Sequence, residues 1–117
     1  VKHPERVEDY LEHIAEAIER ATGYLQSVPD LAAFRKQLQV QDAVLRNIEI
    51  IGEAVSRINS TAPGFIEQHS EIPWAQMRGM RNVAIHEYFF VDLEILWTTV
   101  KIDLPKLKQQ VEALLKR

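Results

Sequence analysis

Arg78, Arg81, Asn82, His86 and Tyr88 fall within eleven residues of one another. Each side chain has a use in phosphoryl chemistry. A guanidinium binds a phosphate as a planar fork, and an imidazole moves a proton near neutral pH. Asn82 adds a neutral donor beside them. No acidic residue lies between Glu71 and Glu87, in a chain whose net charge is −3. The set suits RNA cleavage, in which a base takes the 2′-hydroxyl proton, the neighbouring phosphate is attacked and an acid protonates the leaving 5′-oxygen. Arg81 would stabilise the charge that builds on the phosphate.

Helical register complicates that reading. At about 100° per residue, Gly79, Asn82 and His86 share one face with Arg78 at its flank, while Arg81 and Tyr88 share another. Arg81 and His86 are then about 140° apart on a straight helix. A compact site needs the helix to end or bend near His86, or a second copy of the chain. The second copy would also supply the second histidine that acid–base cleavage calls for. Arg81 sits in an apolar stripe with Trp74, Met77, Ala84 and Tyr88. An unpaired buried guanidinium is costly, so it must meet either an internal carboxylate or an external phosphate.

Other chemistries find less support. His3, His13, His69 and His86 are scattered without metal-ligand spacing, so no metal site or cofactor is expected. There is no glycine-rich nucleotide loop and no serine in a nucleophile-elbow setting. The absence of cysteine removes thiolate nucleophiles and disulfides, and fits a cytoplasmic location. No apolar run approaches the ~20 residues that span a bilayer, and no signal-peptide apolar region opens the chain. Val1 rather than Met stands first, so a few residues are expected to be missing or removed.

With 117 residues, 46% hydrophobic and 26% charged, residues 1–117 are expected to form a single domain with one core. A pI near 5.8 argues mildly against a general nucleic-acid binder. Charge is uneven, though: residues 1–20 hold six acids against three bases, and 101–117 hold five bases against two acids.

The elements that must carry the motif read as helices. Val7, Leu11, Ile14, Ile18, Ala21 and Leu25 mark the buried stripe of a first helix starting near Pro4. Asp30 is a candidate cap for a run from Leu31 to about residue 59, with a break near Lys36–Val40. In that run Gln41 and Gly52 interrupt the apolar stripe, and Gly52 suits close approach of another backbone. Residues 59–64 read as a loop and Pro63 as the start of a short helix. Pro73 opens the motif helix. Asp92 caps a last helix, which Pro105 kinks or restarts. The pattern predicts an all-α, antiparallel bundle of four to five helices.

The ordered series resembles a known family. Arg81, four residues, then His86-Glu87-Tyr88 is the Arg-x4-His-x-Tyr pattern of the HepT-like branch of HEPN-domain proteins. The likeness extends over Gln41–Glu49, Ile50–Ala54, Ile72-Pro73-Trp74, Val91–Glu94 and Asp103-Leu104-Pro105. It implies a HEPN-like homodimer acting as a metal-independent endoribonuclease, the toxin of a type VII-like toxin–antitoxin pair. By resemblance Arg81 and His86 would be catalytic, with Asn82 and Arg78 supporting. The implied partner is an MntA-like minimal nucleotidyltransferase that transfers AMP to Tyr88. Negative charge and bulk would then lie where the RNA phosphate must sit. The alternative is a non-catalytic helical partner that presents this tyrosine to the transferase. The acidic pI and the Arg81–His86 angle speak for that second reading.

Overall fold

The computed structural model describes residues 6–116 apart from 87–91, and for 81–86 it describes the helical backbone. All regular structure among the described residues is helical. Four long pieces make the bundle: α1 (Val7–Tyr24), α3 (Leu38–Thr61), α5 (Trp74–His86), and a last rod in which α6 (Leu93–Thr98) passes through a π turn (Thr99–Asp103) into α7 (Leu104–Leu115). Two short helices, α2 (Leu31–Phe34) and α4 (Pro63–Gln68), fill the connections. Helix α3 is the hub, packed on α1 along one side and on α5 along another, while α7 closes against α1.

The expected stripe of α1 is buried as a row of Leu11, Ile14, Ala17, Ile18 and Ala21. The helix opens at Val7, later than Pro4, because Arg6 is still extended (φ −81°, ψ 132°). Glu8 and Asp9 then occupy the first turn, where carboxylates meet the positive end of the helix dipole.

Asp30 is the cap the sequence indicates, its carboxylate accepting from the Ala33 N–H at 2.8 Å. The expected break falls at Arg35–Gln37 and turns the chain from α2 into α3. Gln41, an oddity in an apolar stripe, is explained there: its buried amide donates to the Phe34 carbonyl at 2.8 Å, tying the two helices together. Phe34 itself is fully buried and stacks at a tilt on Trp97, with ring centroids 5.6 Å apart. Asn47 is buried as well; it donates to the Ala43 carbonyl at 2.9 Å, while its Oδ1 meets no donor among the described residues.

The predicted loop over 59–64 contracts to one residue. Helix α3 continues to Thr61, Ala62 turns the chain (φ −147°, ψ 62°), and Pro63 begins α4 at once. Asn59, Ser60 and Thr61 are poor helix formers, but the Ala62 N–H still donates to Ile58 O at 2.8 Å and Thr61 Oγ1 to Arg57 O. Tertiary packing of Val55 and Ile58 outweighs their weak propensity.

Asp92 caps α6, its Oδ1 accepting from the N–H groups of Glu94 (3.0 Å) and Ile95 (3.1 Å). Pro105 restarts the last helix, standing in the first turn of α7. It has no N–H for the Lys101 carbonyl, and the backbone widens before it into the π turn, where the Leu104 N–H reaches Thr99 O. Leu96, Val100, Leu104, Leu107 and Val111 thereby remain on one buried face.

Candidate active site

The first half of α5 is firmly anchored. Trp74 is buried, donates through Nε1 to the His69 carbonyl at 2.9 Å, and meets Phe65 edge-on at 6.1 Å. Phe65 in turn lies 4.4 Å from the His69 ring. One turn on, Met77 is fully buried. Pro73 accepts from the Met77 N–H at 3.1 Å, so the helix starts on a proline-preset turn. The helix therefore has a rigid base from which its second half projects.

That second half carries the sequence motif. The backbone is helical through Arg81, Asn82 and His86, so register keeps positions 81 and 86 about 140° apart and puts 79, 82 and 86 on one face. The side chains at 81–86 lie outside the description, as does Tyr88. Arg78 is exposed and forms no ion pair with any described residue. It borders a recess of about 140 Å³ with Val55 and Asn59 of α3 and Ile66 of α4. From Trp74 to His86 the helix has no acidic residue, so its cationic groups have no carboxylate on their own element.

A larger feature escaped the sequence reading. Between α5 and the π turn with α7 runs an open groove of about 670 Å³. Its edge on α5 is formed by Gln76, Gly79 and Met80, and its opposite edge by Thr99, Asp103 and Lys106. These residues come from distant stretches and share no motif. The signal present in the sequence was Gly79, a glycine inside a helix, together with Pro105 on the facing helix.

Among the described residues no three His, Asp or Glu side chains gather as a metal site would, and no helix is long and apolar enough to cross a membrane.

Comparison with known proteins gives this geometry its context. Residues 14–114 match the family model described as ribonuclease HepT-like. A probable ribonuclease HepT of Thermococcus cleftensis is 45% identical, over 92% of this chain and 94% of the relative. A candidate RNase of Caldanaerobacter subterraneus subsp. tengcongensis is 37% identical, over 92% of this chain and 93% of its own. A candidate RNase of Methanocaldococcus jannaschii is 40% identical, over 75% of this chain and 86% of the relative. No solved structure matches the chain. An all-α bundle with an unbalanced cationic helix is the class this fold and motif define. The chain belongs to the HepT-like ribonuclease family.

Proposed function

We propose that this ribonuclease is a metal-independent endoribonuclease in which Arg81 and His86 act on the RNA phosphodiester, with Asn82 and Arg78 in support. The observation that carries the reading is α5 itself: helical through both motif positions, anchored at its base, and free of acidic residues. On such an element a guanidinium is held for an anion from outside the helix. Imidazole is the natural proton carrier for attack by the 2′-hydroxyl and for departure of the 5′-oxygen. One histidine cannot serve both ends at once. The active species is therefore a homodimer, in which a second copy brings its own His86 and relieves the 140° separation.

The same reading makes the protein the toxin of a type VII-like pair, partnered by an MntA-like nucleotidyltransferase. Transfer of AMP to Tyr88 forms a phosphodiester to the phenol oxygen and releases pyrophosphate from ATP. The anionic nucleotide, two residues from His86, repels and blocks an RNA phosphate.

Cleavage of RNA in EDTA by the unmodified protein tests the proposal. His86→Ala should abolish it; equal cleavage by wild type and variant would assign the activity to a contaminant. Incubation with the transferase and ATP should add one AMP by intact mass, and Tyr88→Phe should remove that shift.

A further inference from the structure

We infer that the groove between α5 and α7 seats the base of a nucleotide flanking the scissile phosphate, and that it favours bases bearing an exocyclic amine. This rests on the ribonuclease reading and extends it to substrate choice.

Position comes first. Gly79 is part of the groove's edge and lies on the same α5 face as positions 82 and 86. At 1.5 Å per residue those positions are about 4.5 and 10.5 Å farther along the axis. A chain whose phosphate lies at the motif therefore passes the groove mouth at an adjacent nucleotide. Gly79 also has nothing within 4 Å of where a Cβ would stand. A glycine inside a helix is destabilising against alanine, and here no described neighbour uses the space it leaves.

The chemistry of the lining then selects the occupant. Met80 offers an apolar surface on which the flat face of a base can lie, backed by the buried Met77 and Leu107, and thioethers make favourable contacts with aromatic rings. Of the described charged side chains that line the groove, one is a cation, Lys106, and two are carboxylates, Asp103 and Glu71, the latter 3.4 Å from His69 Nδ1. That balance does not suit a phosphate track, which would need an excess of cations.

It suits a base edge that donates. Gln110 already gives its amide N–H to the Glu71 carbonyl at 3.3 Å, leaving its Oε1 as an acceptor. Thr99 gives its hydroxyl hydrogen to the Ile95 carbonyl at 2.8 Å, leaving its lone pairs. Acceptors thus dominate the walls. Adenine, cytosine and guanine each offer an exocyclic amino group to them, whereas uracil has a single N3–H donor between two carbonyl oxygens.

The test uses DNA oligonucleotides carrying a single ribonucleotide, so that one bond is cleavable, with the bases on either side varied. Wild type should cleave beside amine-bearing bases about three- to tenfold faster than beside uracil. The double substitution Glu71→Gln and Asp103→Asn should flatten that preference. Gly79→Phe should erase it by filling the groove while the melting temperature holds, since the added side chain enters open space. His86-dependent cleavage that is equal for all four bases would overturn the subsite and leave the ribonuclease reading standing. A preference that survives both variants would also overturn it. If no oligonucleotide is cleaved in a His86-dependent way, the ribonuclease reading fails, and binding by fluorescence anisotropy decides the groove. Tighter binding of amine-bearing oligonucleotides that Gly79→Phe abolishes supports it; equal binding overturns it.

Discussion

Arg46 and Arg57 on α3 each meet a carboxylate of their own helix, Glu49 at 3.5 Å and Glu53 at 3.2 Å. Helix α5, packed alongside, carries Arg78 and Arg81 with no acidic residue anywhere from Trp74 to His86. The two helices use the same residue type under opposite rules. On α3 the charge is neutralised at spacings of three and four, which gives a solvated and weakly stabilised surface. On α5 no carboxylate of the helix itself stands at those spacings. Arg78, exposed and in no ion pair with any described residue, adds little to stability and is placed to bind an anion.

Substitutions in the scaffold should therefore move stability and leave cleavage per folded molecule alone. Phe34→Ala removes a fully buried ring that packs on Trp97, and should cost about 3–5 kcal/mol by chemical denaturation. Loss of cleavage by the fraction that remains folded would break the separation between the two regions. Smaller effects are expected where single polar contacts are removed. Gln41→Leu loses the bond to the Phe34 carbonyl, and Asp92→Ala the cap on Glu94 and Ile95. Each should cost about 1 kcal/mol, or about 4–8 °C in melting temperature. Arg57→Ala should lie at the bottom of the series, within about 0.5 kcal/mol of wild type, because its pair with Glu53 is solvent-exposed.

Much of this was legible in the sequence wherever a local rule decided the outcome. Asp30 and Asp92 sit where a short acceptor can reach free helical N–H groups, and both do cap. The stripe through Leu11, Ile14 and Ile18 follows helical periodicity and is buried as expected. Misjudgements arose where tertiary contacts outweighed local preference. Asn59-Ser60-Thr61 reads as loop, yet packing of the preceding turn extends α3 through it. Gln41 looked like a fault in an apolar stripe because its partner, the Phe34 carbonyl, is supplied by the far side of a chain break.

The candidate site divides in the same way. Its motif residues were recognisable because they are close in sequence. The groove beside them was not, because Gln76, Thr99 and Asp103 become neighbours when α5 faces a π turn. That turn follows from Pro105 withholding one hydrogen bond, a consequence the sequence permits but does not specify. The Arg81–His86 separation was expected only for a helix that runs straight through, and the α5 backbone is helical at both positions.

The contrast between the two helices reduces to a paired measurement of kcat/KM on one RNA substrate in EDTA, with Arg81→Ala set against Arg57→Ala. Arg81→Ala should lose about a hundred- to a thousandfold, the range expected when a group that stabilises transition-state charge is removed, with its melting temperature within a few degrees of wild type. Arg57→Ala should cleave as wild type does. Equal losses in the two variants, or an Arg81→Ala protein that cleaves normally, would contradict the claim that α5 holds its arginine for the RNA phosphate.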